Sequence, residues 1–522
     1  MASQDRPSEP SDSPNSATPS AASGVEAAQL RALITAAEVY PALEEMVDGA
    51  EREVLLSYRV FEPSTALRSP RLRAEGLETW LDLLDRVTAR GVSLRLVITD
   101  FDPLFASDLH RLSWTAASRF ADRVSGDVQI LVAPHGQTVG WIWRRALVFK
   151  IVEKLKSLKQ SPKDRLTPIQ RKLLDARPYL RPVSLHQKVA VIDGARTIVG
   201  GMDVDERRWD DNLHDRPAEE TWHDVSLSGE GEIAAAARAH FVDTWNAALR
   251  DEAASLADHA RPMEAPSRPQ GRPELRLVRT MSKPRTGPLR FGPKPYLVEH
   301  EEETLKAIGT AERLIYLESQ FLRHRPISDA LCAAARRVPD LQLILLLPPE
   351  PERILFGGAD SWDARHAHAL QTLALNDLQR TYGDRVALLS PGQTRPASEG
   401  FSRALGGAGP IYVHAKVTLV DETFGMVGSA NLNGRSMRWD TEASILFRDR
   451  ALAEDLRLRL ARKWLGAQLG DNDPALAATW NAAARKNADL EPEARMGFVM
   501  PYPLGRARRF SRHLPILPDE MF

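Results

Sequence analysis

The order of apolar and polar positions along the chain predicts alternating helices and strands. Near the N-terminus, five apolar positions follow the spacing of an amphipathic helix: Ala28, Leu30, Leu33, Ile34 and Val39. Beyond them, short apolar runs predict strands at 53–61, 92–99 and 128–132, and amphipathic stretches predict helices at 77–89 and 108–123. This alternation is typical of a layered α/β fold.

The same pattern starts again after a proline-rich segment, 258–273, which we interpret as an exposed linker. A helix at 298–309, a strand at 312–318, a helix at 327–337 and a strand at 341–348 follow it. The chain therefore looks like two copies of one unit. The predicted parts are a disordered Ser- and Pro-rich segment at 1–27, an N-terminal half at 28–257, the linker, a C-terminal half at 274–470 and a tail at 471–522.

The strongest sign of duplication is a pair of matching segments, LHQKVAVIDGARTIVGGMD at 185–203 and VHAKVTLVDETFGMVGSAN at 413–431. In each, a His is followed by Lys at +2, Asp at +7, Gly at +14 and a polar residue at +17. These residues are His186, Lys188, Asp193, Gly200 and Asp203 in the first copy and His414, Lys416, Asp421, Gly428 and Asn431 in the second. Five matching positions with identical spacing are not expected by chance.

A histidine and a lysine two positions apart on a strand project from the same face. An imidazole beside an ammonium suits a phosphodiester, because the lysine neutralises phosphoryl oxygens while the histidine attacks or moves protons. We expect Gly200 and Gly428 to let the backbone approach the ligand closely. Taken alone, either pair could lie on a solvated strand face, but two copies with identical spacing favour one pocket built from two half-sites.

Composition and charge exclude several classes of protein. The chain has 522 residues, 69 Lys and Arg against 70 Asp and Glu, and a net charge of −1, which argues against a dedicated nucleic-acid binder. Cys332 is the only cysteine, so no disulfide can form within the chain. We expect no signal peptide and no transmembrane helix. The predicted location is cytoplasmic, peripheral at a membrane, or secreted by a leaderless route.

At the duplicated segments the sequence resembles the phospholipase D superfamily, whose motif is H-x-K-x-x-x-x-D. The segments GGMDVDERRWD (200–210), TWHDV (221–225) and GSANLNGRSMRWDTEAS (428–444) are similar to those of phosphatidylcholine-type enzymes. The resemblance implies an α/β fold of two similar layered halves, each a mixed sheet flanked by helices. The halves would pack as a pseudo-two-fold bilobal unit with one shared active site, without metal or another cofactor.

The resemblance also implies a role for each site residue. His186 would attack phosphorus to give a phosphohistidine, and His414 would protonate the leaving alcohol. The other catalytic candidates are Lys188, Lys416 and Asn431, which would hold the phosphoryl oxygens, and Asp224 and Glu442, which would hold His186 and His414. The residues expected to shape the motifs are Asp193, Asp421, Gly200, Gly201, Asp203, Gly428 and Ser429.

Two positions depart from the family pattern. Asp203 stands where many relatives carry Asn, and we expect its carboxylate to bond a lysine or a backbone amide rather than an anionic substrate. Ser319 stands where the related Tyr-x-Glu-Asn-Gln pattern has Asn. The neighbouring Glu318 and Gln320 could either line the site or only end a strand.

The function predicted from this resemblance is hydrolysis of a phosphatidylcholine-like glycerophospholipid to phosphatidic acid and free headgroup, by a monomer acting at a membrane surface. An effector or virulence role after export is left open. The alternatives are a phosphatidyltransferase, as in cardiolipin synthesis, a nuclease of the same superfamily, and a membrane-binding module without activity. Nucleic acid is not an expected partner.

A basic insert at 140–182 holds 12 Lys or Arg against three Asp or Glu, with Trp141, Trp143 and Phe149 among the charges. Such a segment could be an interfacial helix that approaches anionic lipid. It could equally be a helical excursion that packs on the core and leaves its charges in water. Because the insert runs into the strand bearing His186, we expect it near the mouth of the site.

Overall fold

The computed structural model describes residues 30–176, 178–266, 272–514 and 518–522. The segment 1–27, predicted to be disordered, lies outside the described residues, as does 267–271 of the predicted linker. The described residues form two mixed sheets covered by helices, so the predicted α/β class is confirmed.

The first sheet has the strand order β1-β7-β6-β5-β2-β3-β4-β8. Strands β2, β3 and β4 are parallel, and the other neighbours pair antiparallel. The central strands are nearly continuous apolar runs because both of their faces are covered. The strands are β1 (Arg31–Ile34), β2 (Glu53–Tyr58), β3 (Ser93–Thr99), β4 (Val128–Ala133), β5 (Val189–Ile192), β6 (Arg196–Gly200), β7 (Val225–Glu230) and β8 (Ala254–Ala257).

The helices of the first half are α1 (Thr35–Asp48), α2 (Pro70–Ala74), α3 (Trp80–Ala89), α4 (Ser107–Arg123), α5 (Trp141–Ala146), α6 (Val148–Gln160), α7 (Pro168–Asp175) and α8 (Glu232–Arg250). Of the helix predicted from Ala28 to Val39, Ala28 lies outside the described residues, and the prediction is wrong for residues 31–34. Residues 31–34 instead form the edge strand β1, which pairs antiparallel with β7, and the helix begins at Thr35. Pairing with β7 buries Leu33 and Ile34. A short apolar run of this kind is compatible with either a helix or a strand.

The second sheet repeats this order with additional strands. Its path is β10-β9-β17-β16-β15-β11-β12-β13-β14, and β18 pairs with β13. The strands are β9 (Leu275–Lys283), β10 (Lys294–Val298), β11 (Leu314–Glu318), β12 (Gln342–Leu346), β13 (Val386–Pro396), β14 (Ala408–Pro410), β15 (Val417–Val420), β16 (Phe424–Gly428), β17 (Glu442–Arg448) and β18 (Val499–Pro501). The helices are α9 (Glu299–Thr310), α10 (Arg325–Arg337), α11 (Glu352–Leu355), α12 (Trp362–Tyr382), α13 (Gly434–Arg438), α14 (Arg450–Leu465), α15 (Ala477–Ala488) and α16 (Leu504–Phe510).

The repeat is visible strand by strand, because β7-β6-β5-β2-β3-β4 in one sheet corresponds to β17-β16-β15-β11-β12-β13 in the other. Asp193 follows β5 and accepts hydrogen bonds from the backbone amides of residues 51–53, just before and at the start of β2. Asp421 follows β15 and does the same for residues 312–314 at β11. Both aspartates have positive φ, 56° and 51°, so each one closes a tight turn and ties two strands together.

The two halves share one apolar core between their sheets. Side chains from β5, β6, β15 and β16 meet there, and the long helices α8 and α14 add the fully buried Trp245 and Trp464. The backbones of the two halves also pair directly in two places, Leu185 with Thr441 and His223 with Val413. No helix in the described part of the chain is long and apolar enough to cross a bilayer.

Candidate active site

The two motif histidines lie just before β5 and β15, where the halves meet. The backbone amide of His186 donates to the Thr441 carbonyl at 2.9 Å, and that of His414 donates to the His223 carbonyl at 2.8 Å. The side chains are 10% and 2% exposed, so both imidazoles are nearly enclosed. The cross-pairing of the backbones therefore brings the two half-sites together.

The carboxylates that support the histidines come from the opposite halves. Glu442 lies 3.1 Å from His186 Nδ1 through both of its oxygens, and Asp224 Oδ2 lies 2.7 Å from His414 Nδ1. The pairing that the resemblance implies, Asp224 with His186 and Glu442 with His414, is wrong. Because Thr441 pairs with Leu185 and His223 with Val413, each carboxylate is delivered across the interface. A carboxylate at Nδ1 leaves Nε2 free to react.

The motif lysines fold back onto their own histidines. Lys188 Nζ donates to the His186 carbonyl at 2.6 Å, and Lys416 Nζ donates to the His414 carbonyl and lies 2.9 Å from His414 Nδ1. Burial lowers the pKa of Lys188 to about 8 and that of Lys416 to about 7. An anionic phosphoryl group between them would favour their charged forms.

Burial governs the other ionisable groups of the site as well. It holds the pKa of both histidines well below the usual value, and the neighbouring lysines lower it further. Burial raises the pKa of Asp224 to about 6 and that of Glu442 to about 8. Ser429 and Ser436 donate to Glu442 and act in the opposite direction, because hydrogen bonds to a carboxylate favour its charged form. At neutral pH both imidazoles are therefore uncharged.

The position at +17 differs between the halves. In the second half, Asn431 Nδ2 donates to Gln320 Oε1 at 3.3 Å, so Gln320 belongs to the site wall. In the first half, Asp203 Oδ1 accepts from the backbone amides of Arg59 and Val60 at 3.1 and 2.9 Å. Its other oxygen lies 3.1 Å from Arg208 and 3.8 Å from Lys188 Nζ.

The motif glycines make room for protein rather than for ligand, so the role expected for Gly200 and Gly428 is wrong. A Cβ on Gly200 would collide with Ser226 of β7, and one on Gly428 would collide with Ser444 of β17. A Cβ on Gly201 would collide with the Asp224 carboxylate. These glycines bring neighbouring strands close together and leave space for the carboxylate that holds His414.

Several other residues lie near the site although the sequence analysis did not single them out as site residues. The ring centroids of Trp222 and His414 lie 4.7 Å apart. The guanidinium carbon of Arg208 lies over the Trp222 ring, 4.6 Å from its centroid. Arg435 pairs with Asp440, beside Thr441. Arg59, at the end of β2, lowers the pKa of His186 by its positive charge. Only a comparison of equivalent strands in the two halves could have pointed to Arg59.

Glu318 lies in the interface between the halves rather than in the wall of the site. Its Oε2 is 2.7 Å from His223 Nε2, and its Oε1 accepts from Tyr316 and from Trp464, each at 2.6 Å. His223 and Glu318 are both fully enclosed. Glu318 therefore connects the two halves through its contact with His223.

The basic insert packs beside the site and presents apolar side chains to solvent. Trp143 packs edge-on against Phe291 at 5.2 Å, in a cluster that includes Trp439 and Val183. On the outer surface, the exposed apolar residues are Trp141 at 57%, Phe149 at 86% and Val152 at 57%. The insert therefore combines the buried face expected of a packed helix with an exposed apolar face.

Comparison with known proteins finds similarity to a family model and to curated relatives. A family model described as "Cardiolipin synthase, PLD-like domain" matches residues 304–464. The chain is 27% identical to cardiolipin synthase A of Pseudomonas entomophila strain L48 over 276 residues, which is 53% of this chain and 46% of that protein. It is 26% identical to cardiolipin synthase A of Pseudomonas fluorescens strain SBW25, over 52% of this chain and 45% of that protein. The match thus spans about half the length of these relatives.

Among solved structures, phosphatidylserine synthase of Haemophilus influenzae aligns with 83% of this chain and 85% of its own, at 11% identity and a TM-score of 0.49. A phospholipase D family member from Salmonella typhimurium, Nuc, aligns with 36% of this chain and 93% of its own, at 18% identity and a TM-score of 0.23.

The paired motifs, the duplicated sheets and the matching family model support the phospholipase D superfamily that the duplicated segments predict. The predicted function, hydrolysis of a phosphatidylcholine-like lipid in lipid degradation, is wrong. The family model and the curated relatives carry the name cardiolipin synthase, which favours the alternative of phosphatidyl transfer.

Proposed function

We propose that this protein is a phosphatidyltransferase that moves a phosphatidyl group from a phospholipid to the hydroxyl of an acceptor alcohol. The observation that carries the proposal is the enclosure of two His-Lys pairs, each histidine supported by a carboxylate, at one interface. The similarity of the second half to a cardiolipin synthase domain supports an acceptor with an alcohol group. A phospholipid with a free headgroup hydroxyl fits both roles.

The proposed reaction has two steps at phosphorus. In the first, His186 Nε2 attacks, the N–P bond forms, the P–O bond to the leaving alcohol breaks, and His414 gives that alcohol a proton. In the second, His414 takes the proton of the acceptor hydroxyl, the new P–O bond forms, and the N–P bond to His186 breaks. Lys188, Lys416 and Asn431 hold the phosphoryl oxygens as negative charge develops.

The free site has both imidazoles uncharged, whereas the first step needs a proton on His414. Binding of an anionic phosphodiester would raise the pKa of His414, since an opposite charge within a few ångströms favours the imidazolium. Asp224, at 2.7 Å from its Nδ1, favours the same charged form. Substrate binding would therefore prepare the general acid.

The test is to incubate the purified full chain with phosphatidylglycerol vesicles and to separate the lipid products by mass spectrometry. We expect cardiolipin and free glycerol as the main products. Phosphatidic acid as the sole product would contradict transfer. A parallel incubation with DNA tests the nuclease alternative, and cleavage of DNA without any lipid product would replace the proposal.

A further inference from the structure

The guanidinium of Arg59 is a site group that the two-step scheme does not use. Asp193 binds the amides of residues 51–53 and Asp421 binds those of 312–314, so these triplets are equivalent in the repeat. Six residues beyond each triplet come Arg59 in the first half and Gln320 in the second. Arg59 and Gln320 are therefore equivalent positions at the end of equivalent strands.

The residues 17 positions after the motif histidines, Asp203 and Asn431, differ between the halves just as Arg59 and Gln320 do. In the second half, two neutral amides, Gln320 and Asn431, contact each other. In the first half the equivalent residues carry opposite charges, Arg59 and Asp203. A carboxylate cannot donate a hydrogen bond to a phosphoryl oxygen, so the first half lacks the donor that Asn431 offers in the second.

Arg59 does not use its guanidinium to neutralise Asp203 by a hydrogen bond. Asp203 is bound by the backbone amides of Arg59 and Val60 and by Arg208. Within the part of the chain that the structure describes, no acceptor contacts the Arg59 guanidinium, and its buried Nε has no hydrogen-bond partner. Arg59 as a whole is half-buried, so a ligand can reach the tip of its guanidinium. A buried N–H without a partner is costly, and a ligand in the site can supply the acceptor.

The surroundings place this guanidinium beside the reacting atoms. The amide of Arg59 binds one oxygen of Asp203, and the other oxygen of Asp203 lies 3.8 Å from Lys188 Nζ, two residues from His186. Its Cζ lies 5.2 Å from the centroid of the Phe101 ring, which holds the side chain on one side. A planar guanidinium offers two parallel N–H groups that match two oxygens of one phosphoryl group.

We propose that Arg59 binds the phosphoryl oxygens of the substrate and supplies, in the first half, the donor that Asn431 supplies in the second. The assignment deepens the proposed function and rests on its chemistry at phosphorus. It also explains the departure at Asp203, because a carboxylate beside this arginine offsets the extra positive charge that Arg59 brings into the interface.

The experiment compares inorganic phosphate binding to full-length variants, measured by calorimetry, with melting temperature as a second readout. Arg59→Gln gives the first half the residue of the second, and we expect it to weaken phosphate binding about 10- to 100-fold, as loss of a charge-assisted hydrogen bond implies. Arg59→Lys should recover part of the affinity. The matched control is Arg123→Gln, which removes one positive charge from an exposed position of the same half and should change nothing.

The double variant Arg59→Gln/Asp203→Asn gives the first half the Gln–Asn pair of the second half, so it restores a neutral donor and should regain part of the affinity that Arg59→Gln loses. Unchanged affinity in Arg59→Gln would overturn the assignment. If Arg59→Gln weakens phosphate binding but the wild-type chain transfers no phosphatidyl group, Arg59 stays assigned and the proposed function is rejected. If the wild-type chain transfers phosphatidyl groups and Arg59→Gln binds phosphate as tightly as the wild type, only the assignment of Arg59 is rejected.

Discussion

Enclosure, rather than any single ion pair, sets the charge of the side chains at the two histidines. The lysines, which are ordinarily charged far above neutral pH, have pKa values of about 8 and 7 here because burial penalises an ammonium. The same penalty keeps both imidazoles neutral. A site of this kind becomes fully charged only when an anion shares it, which couples substrate binding to the protonation that catalysis needs.

Replacing either histidine should abolish turnover without unfolding the protein. We expect His186→Ala and His414→Ala each to lower the transfer rate by at least about 10²–10⁴-fold, because one removes the nucleophile and the other the proton carrier. The measurement is product formation on lipid vesicles, with circular dichroism to check the fold. His259→Ala, at an exposed position of the linker, is the matched control and should keep wild-type activity. Near-normal turnover in either motif variant would reject the shared site.

The lysines should set the alkaline side of the pH profile. A lowered pKa means that Lys416 loses its charge as pH rises through about 7, and Lys188 as it rises through about 8. We therefore expect kcat/KM to fall above neutral pH. In Lys416→Arg the guanidinium stays charged, so the fall should move to higher pH even if the maximum is lower. Lys150→Arg, on the exposed insert, should leave the profile unmoved, and an identical fall in both variants would contradict the assignment.

At the scale of elements, the repeat of strands could be predicted because each copy carries the same apolar run, the same His-x-Lys spacing and the same closing aspartate. The edge strand β1 could not, since its three consecutive apolar residues fit a helix as well as a strand until a neighbour such as β7 is known. The pairing of each histidine with a carboxylate of the opposite half could not be predicted either. Which carboxylate meets His186 depends on how the halves pack, and no local pattern records that.

The exposed apolar face of the basic insert favours contact with anionic lipid. We expect the change of Arg144, Arg145, Lys150 and Lys154 to Gln to weaken binding to anionic vesicles by a couple of orders of magnitude, since each basic residue near such a surface contributes roughly 1 kcal/mol. Vesicle sedimentation measures this. Higher salt should imitate the variant, because exposed charges are screened beyond a Debye length.

The control for the insert removes four basic residues of the second half, Lys306, Arg313, Arg336 and Arg450, all exposed. This variant has the same change in net charge and should bind vesicles like the wild type. Equal losses in both variants would indicate attraction by overall charge rather than by the insert. Unchanged binding in the insert variant would show that its charges are only solvated.

At the scale of the whole molecule, stability and catalysis depend on the same interface. His223 of one half, Glu318 of the other and Trp464 of α14 form a hydrogen-bonded group with no access to solvent. It lies next to the backbone pairing that delivers Asp224 to His414. Loosening this group would both weaken the fold and misplace a supporting carboxylate.

Removing Glu318 should therefore destabilise the entire protein. We expect Glu318→Ala to lower the free energy of unfolding by about 3–5 kcal/mol, because it strands His223, Tyr316 and Trp464 without their acceptor. Urea unfolding followed by tryptophan fluorescence measures the change. Glu312→Ala, at an exposed position in the same segment, should cost less than about 0.5 kcal/mol. A loss below about 1 kcal/mol in Glu318→Ala would show that the two halves do not depend on this group.

The crossed supports have a consequence for how such an enzyme can change over time. If two identical copies of one half met about a true two-fold axis, every substitution would appear twice, once in each copy. In a single chain the copies are free to diverge, and here they have: Arg59 and Asp203 in the first half correspond to Gln320 and Asn431 in the second. Fusion of the copies thus allows one phosphoryl group to be held by two unlike sides, as a leaving alcohol and an incoming one require.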